Sequence, residues 1–155
     1  MPPRRGTLIK ALSLLLFFSM ISACAPKKVR IYAVPDPLRG SVVSSALELQ
    51  GRPYKGGARG PGAFDCSGLV YYVFKQHRVF LPPPAESQGR AGYEVDFERV
   101  QPADLVFFRI GGGLHVGIVV DASRFIHASK SRGVIVDDMG ADYWQRCFLG
   151  YRSVF

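Results

Sequence analysis

Three stretches of the chain differ in how their apolar positions repeat. Ala11 to Ile21 is an apolar stretch of 11 residues behind Arg4 and Arg5, too short to span a bilayer comfortably. The middle of the chain has helical spacing. Ser41 can cap a helix running to Gln50, with Val43, Ala46 and Leu47 on one face and Gly51 as the stop. Residues 52–64 are a Gly- and Pro-rich loop. A second helix starts at Asp65 or Cys66 and runs to about His77, burying Leu69, Val70, Val73 and Phe74. After the rigid run Leu81-Pro82-Pro83-Pro84, residues 85–91 allow one or two helical turns. The last third alternates instead. Asp104–Arg109, His115–Asp121, Arg124–Ala128, Val134–Asp138 and Leu149–Phe155 are short β-branched or aromatic runs separated by Gly, Asp or Ser, and they read as antiparallel strands. A small helix is expected at Ala141–Arg146. Helices first and strands after define an α+β domain, and 155 residues favour one such domain.

The N-terminal stretch has the anatomy of a signal peptide: positive n-region, short apolar core, then Ile21-Ser22-Ala23-Cys24. That ending resembles a bacterial lipobox, in which small residues precede a cysteine that is diacylated and becomes the mature N-terminus. An ordinary signal peptide followed by a chance cysteine is the alternative. Under the lipoprotein reading, residues 1–23 are removed, Cys24 is lipidated, and 24–40 form a proline-rich tether to a domain at 41–155. Ala25 is not the aspartate that retains many lipoproteins on the inner membrane, which points to the periplasmic face of the outer membrane in a Gram-negative host.

Charge changes the picture little. The formal +8 includes Arg4, Arg5 and Lys10; without residues 1–23 there remain 17 basic residues against 12 acidic ones. No basic, aromatic-interleaved motif of a nucleic-acid reader is present, and nucleic acid is set aside as a partner. With Cys24 assigned to lipid, Cys66 and Cys147 remain. They could pair in an exported protein, but Cys147 reads as a small buried apolar residue in Arg146-Cys147-Phe148-Leu149. No Cys/His spacing of a zinc site occurs.

Cys66 sits in Phe64-Asp65-Cys66-Ser67-Gly68-Leu69. A thiol at a helix start meets unpaired backbone N–H groups and the positive end of the macrodipole, which favour the thiolate and suit an oxyanion. A buried core thiol is the plain alternative. His115 opens a strand directly after Gly111-Gly112-Gly113, a rigid place for a general base; alternation puts it on one face with Gly117 and Val119. Gly117 leaves room beside the imidazole for a backbone or a substrate. A surface His at a strand end is the ordinary alternative. His127 lies 12 residues later, on a strand that forms a hairpin with the first, where it could hold His115 in one tautomer; a core His satisfied by backbone is its alternative. His77, near the end of the second helix, is a favourable C-terminal cation.

Taken together, Pro53-Tyr54, Gly56-Gly57, Asp65-Cys66-Ser67-Gly68-Leu69, Leu81-Pro82 with Gln88, Gln101-Pro102-Ala103-Asp104-Leu105-Val106-Phe107-Phe108, His115-Val116-Gly117-Ile118 and Phe125-Ile126-His127-Ala128 resemble the NlpC family of cell-wall cysteine peptidases. The resemblance covers roughly residues 41–155. It implies a papain-like α+β fold with N-terminal helices packed on an antiparallel sheet, a Cys-His-His site, and no metal or organic cofactor. It also implies cleavage of the bond between D-glutamate and a diamino acid such as meso-diaminopimelate in peptidoglycan stem peptides. By the same resemblance Cys66 is the nucleophile, His115 the base and His127 its orienter. Tyr54 is a hydrogen-bonding group near the oxyanion, and Asp65 and Ser67 are substrate contacts. Two positions depart from the family's pattern. Lys55 stands where members usually carry an aromatic before the Gly pair, and Pro83-Pro84 stand where they carry Arg and a hydroxyl residue. Two rival readings remain: a non-catalytic wall-binding or scaffold lipoprotein, and a Cys-His amidase or acyltransferase on another substrate. A monomer is the expected state.

Overall fold

The computed structural model describes residues 36–155. The signal segment, Cys24 and the tether as far as residue 35 lie outside the described residues.

The first helix, α1, spans Pro37–Leu47. It starts four residues before the Ser41 cap read from the sequence. Asp36 is the cap, its carboxylate accepting from the Leu38 N–H at 2.9 Å. Pro37 follows at the first helical position, where its fixed φ fits and its missing N–H is not needed. The apolar pattern is silent here because the anchoring side chain is charged. Arg39 is buried and donates to Asp104 Oδ1 (2.7 Å), the Pro102 carbonyl (2.9 Å) and Ser153 Oγ (2.8 Å). Residues 36–40, expected in the tether, are therefore joined to the sheet.

Helix α2 covers Cys66–Gln76 and α3 covers Ala85–Gln88. The face of α2 expected to be buried is buried: Leu69, Val70, Val73 and Phe74 are all fully enclosed. His77 ends α2 and its Nε2 lies 2.9 Å from Ser45 Oγ, tying α2 to α1.

Six strands follow: β1 Tyr93–Val95, β2 Leu105–Ile110, β3 Gly113–Val119, β4 Arg124–Ser129, β5 Gly133–Asp138 and β6 Phe148–Ser153. A short helix α4, Asp142–Cys147, precedes β6. The sheet order is β1-β6-β2-β3-β4-β5, with every pairing antiparallel. Five strands and α4 match the sequence reading to within two residues at every end. The edge strand β1 was not anticipated: it has three residues, none buried, and exists through its pairing with β6 at the far end of the chain.

Period-2 alternation gives the sheet two apolar faces. One, with Leu105, Phe107, Val116, Ile118, Ile126 and Ala128, packs under α1 and α2. The other, with Val106, Phe108, Val119, Phe125 and Tyr151, packs with Trp144 of α4 and Met139. Cys147 is half-buried at the edge of this second cluster, and it and Cys66 are both free thiols.

Candidate active site

The α2 start is built by its own sequence. Asp65 has extended backbone angles and caps the helix, with Oδ1 accepting from the Gly68 N–H at 2.6 Å and the Ser67 hydroxyl at 3.2 Å. Its Oδ2 accepts from the Gly57 N–H at 2.8 Å, while its own N–H donates to the Ala58 carbonyl at 3.0 Å. The 52–64 loop is thereby strapped across the helix end. Gly68 makes this possible, since a Cβ there would overlap the Ala58 carbonyl oxygen. Cys66 is the first helical residue beyond the cap.

Cys66 lines a cavity of about 900 Å³ together with Tyr54, His115, His127, Lys130, Arg132, Asp137 and Trp144. The cavity thus joins the loop, the start of α2, the ends of β3, β4 and β5, and α4. Four of the residues singled out from the sequence meet in it: Tyr54, Cys66, His115 and His127. Asp65 and Ser67 do not line it; Asp65 caps the helix start, and the Ser67 hydroxyl donates to its carboxylate.

The two histidines come together through strand register. In the β3–β4 ladder Ile118 faces Ile126 and Val119 faces Phe125. The same register sets Gly117 opposite His127 and puts His115 on the diagonal, on the same face. His115 Nε2 and His127 Nδ1 are 2.9 Å apart, with ring planes at 83°. The space that Gly117 leaves is filled by protein. A Cβ there would lie 2.6 Å from the Phe125 ring and 3.0 Å from the Ile126 carbonyl oxygen, so β4 approaches the His115 strand closely at this point.

Beyond His127 the contacts continue. Its Nε2 lies 3.1 Å from Asp137 Oδ2 on β5. Asp137 also accepts from Arg132 through both guanidinium NH2 groups (3.1 and 2.7 Å) and from the Trp144 indole N–H (3.2 Å). The Trp144 ring covers both imidazoles, stacked on His115 at 5.9 Å and edge-on to His127 at 4.9 Å. Asp137, Arg132 and Trp144 escape a motif reading because none belongs to a chemical pattern along the chain. Register is the one signal that reaches Asp137: with His127 opposite Ile135 and Phe125 opposite Asp137, it lies diagonal to His127 on the same face.

Burial governs the protonation states. It pushes His115 down to about 3, assisted by His127 and Lys130. His127 is also lowered, because burial outweighs the opposing pull of Asp137. Its contact with Asp137 is therefore a neutral N–H to a carboxylate, since the imidazole is uncharged at neutral pH. Asp137 stays below the usual carboxylate range: burial raises it, but hydrogen bonds from Arg132 and His127 prevail. The thiol differs from the sequence expectation. Burial raises Cys66 above its ordinary value, Asp65 adds to the rise, and the N–H groups of Val116, Ser67 and Cys66 itself only partly offset it. The resting site is thus a neutral thiol and a neutral imidazole lining one cavity. Tyr54 is raised as well, by burial first, then by the Cys66 thiolate that forms at alkaline pH and by Asp65, so it stands as a protonated donor at the cavity wall.

A helix-terminal thiol and a strand-borne imidazole pair sharing one cavity, in helices packed on an antiparallel sheet, define the papain-like class of thiol-dependent hydrolase folds. The NlpC/P60 family model matches residues 51–153, and the chain belongs to that family. It is 37% identical over 108 residues to the probable endopeptidase NlpC of Escherichia coli, covering 67% of this chain and 70% of that protein. It is 40% identical over 128 residues to the γ-DL-glutamyl hydrolase of Bacillus subtilis, covering 79% of this chain and 31% of that one. The chain spans between about a fifth and a third of the length of the first curated relatives it matches. Among solved structures, a Staphylococcus aureus protein described as similar to a lipoprotein of the NLP/P60 family superposes with a TM-score of 0.71 at 32% identity, over 82% of this chain and 44% of that one. The peptidoglycan hydrolase RipB of Mycobacterium tuberculosis does so with a TM-score of 0.65 at 27% identity, over 76% and 65%.

Proposed function

We propose that this chain is a peptidoglycan endopeptidase hydrolysing the γ-D-glutamyl–diamino acid bond of stem peptides, with Cys66 as nucleophile and His115 as base. The observation that carries the reading is the shared cavity: Cys66 at the start of α2 and the 2.9 Å His115–His127 pair line the same space. Because the resting pair is neutral, the thiol proton moves to His115 as sulfur attacks the carbonyl carbon. The oxyanion is met by backbone N–H at the helix start and by the Tyr54 hydroxyl. The imidazolium then protonates the leaving amine, which departs and leaves a thioester on Cys66. Water attacks the thioester, giving its proton to His115; the thiolate leaves and is reprotonated, and the peptide carboxylate is released. Asp65 keeps partial exposure, and its contact with the free amine of a stem peptide belongs to the same proposal, with Ser67 acting through its bond to Asp65.

Lipidation at Cys24, supported by the lipobox-like Ile21-Ser22-Ala23-Cys24, and, in a Gram-negative host, residence on the periplasmic face of the outer membrane, supported by Ala25, complete the reading. A lipid tether would raise the enzyme's effective concentration at the wall. Incubation with a defined L-Ala-γ-D-Glu-diaminopimelate peptide tests the activity. A new diaminopimelate amine, absent with Cys66→Ala, is the expected product. No cleavage of any stem peptide points to a non-catalytic wall binder, and release at another amide points to an amidase. For the anchor, Cys24→Ser is expected to abolish acylation and membrane fractionation. A free Cys24 thiol in the mature protein overturns that part.

A further inference from the structure

The two imidazoles by themselves have no preferred direction. A hydrogen bond between His115 Nε2 and His127 Nδ1 forms equally well with the proton on either nitrogen. Only one arrangement is useful. If His127 donates, the neutral His115 must carry its proton on Nδ1 and has no lone pair there for a thiol proton. If His115 donates from Nε2, its Nδ1 is a free base, and Nδ1 makes no other hydrogen bond among the described residues.

The choice is made one strand further out. An ionised carboxylate only accepts. Asp137 Oδ2 sits 3.1 Å from His127 Nε2 and so requires the His127 proton on Nε2. That leaves His127 Nδ1 as an acceptor, which requires the His115 proton on Nε2. The carboxylate is well prepared for this. Its side chain is only 13% exposed, Arg132 grips both oxygens, and the Trp144 indole donates to Oδ2.

We propose that Asp137 is a positioning residue whose carboxylate sets the tautomers of both histidines, so that His115 presents an unprotonated Nδ1 to the thiol. Arg132 and Trp144 hold that carboxylate in place. The site is thus a four-membered line, Cys66, His115, His127 and Asp137, drawn from α2, β3, β4 and β5. This rests on the reading of Cys66 and His115 as nucleophile and base, but its main test needs no substrate.

Nitrogen-15 NMR of histidine-labelled protein reports each tautomer directly. In the wild-type chain both His115 and His127 are expected as Nε2–H forms. Asp137→Ala is expected to give mixed or reversed tautomers. Its kcat on the stem peptide should fall on the order of 10²-fold or more, by analogy with loss of the tautomer-setting member of a triad, with KM little changed. Asp137→Asn keeps the shape and one acceptor oxygen and is expected to fall between the two. Unchanged Nε2–H tautomers in Asp137→Ala, or an unchanged kcat, overturns the proposal. If the Ala variant does not fold, Asp137→Asn decides: wild-type kcat with wild-type tautomers overturns it, and a reduced kcat with mixed tautomers supports it. Should no stem peptide be cut by the wild type, the activity reading fails while the NMR result still tests Asp137 on its own.

Discussion

His115 and His127 are bonded to each other across two strands at 2.9 Å, and the second of them is a core residue, 2% exposed. His127 is therefore at once enclosed in the core and hydrogen-bonded to His115, so a functional and a core role do not exclude each other. His127→Ala should cost stability, by roughly 1–3 kcal/mol for the buried partners it strands, and also cost turnover by on the order of 10²-fold. His127→Gln, which retains a polar group, is expected to recover part of both. Thermal melting and kcat measured on the same variants check this. A destabilised His127→Ala protein with full activity per folded molecule would reduce the site to a Cys66–His115 dyad.

Cys66 is expected to be a slow nucleophile toward a simple alkylating agent at neutral pH. Its thiol is raised from its ordinary value, so little thiolate exists until the pH is well into the alkaline range. The rate of iodoacetamide labelling should keep rising with pH beyond 9, the ordinary thiol value. A labelling midpoint below 7 would mean that a thiolate–imidazolium pair is the resting state. On the proposed mechanism His115 takes the thiol proton at the moment of attack, so slow alkylation and efficient hydrolysis are compatible.

Acid should destabilise the fold through His115. Its folded-state value is about 3 against 6.5 for an unhindered imidazole. Between those values the unfolded chain binds a proton that the folded chain refuses, so stability rises with pH across this window. Read downward, the contribution is intact above 6.5 and is lost progressively as the pH falls toward 3. His115→Gln removes the titrating group and is expected to flatten the stability curve there. Denaturant melts at a series of pH values report the slope, and an equally steep curve in the variant would contradict the assignment.

Two glycines in helices should answer oppositely to alanine. At Gly68 a methyl group meets the Ala58 backbone carbonyl, which cannot rotate away, so the 52–64 loop and with it Tyr54 must shift. Gly68→Ala should lose about 1–3 kcal/mol along with most activity. Gly40 in α1 has nothing within 4 Å of a built Cβ, and Gly40→Ala should gain up to about 1 kcal/mol. Paired melting curves check both signs.

Most of the fold is legible along the chain, because local signals are strong where one face of an element is buried. The α2 face, the β3–β4 hairpin and the alternation that puts His115 and Gly117 together are all such signals. They carry three of the four members of the site line, since Cys66 follows a capping Asp65 and both histidines sit at strand positions of fixed parity. Signals fail where the stabilising contact is distant or charged. Helix α1 begins at Pro37 because Arg39 reaches Asp104 and Ser153, 65 and 114 residues away. Strand β1 exists because β6 pairs with it.

The chemistry divides in the same way. Sequence by itself determines which groups are available, a thiol at a helix start and two imidazoles 12 residues apart. Only the tertiary structure decides their state. Burial beneath Trp144 keeps both imidazoles neutral, and burial overrides the helix end at Cys66, because desolvation depends on everything packed around a group. Asp137 shows the same dependence: it is a carboxylate like any other in the sequence until register places it 3.1 Å from His127.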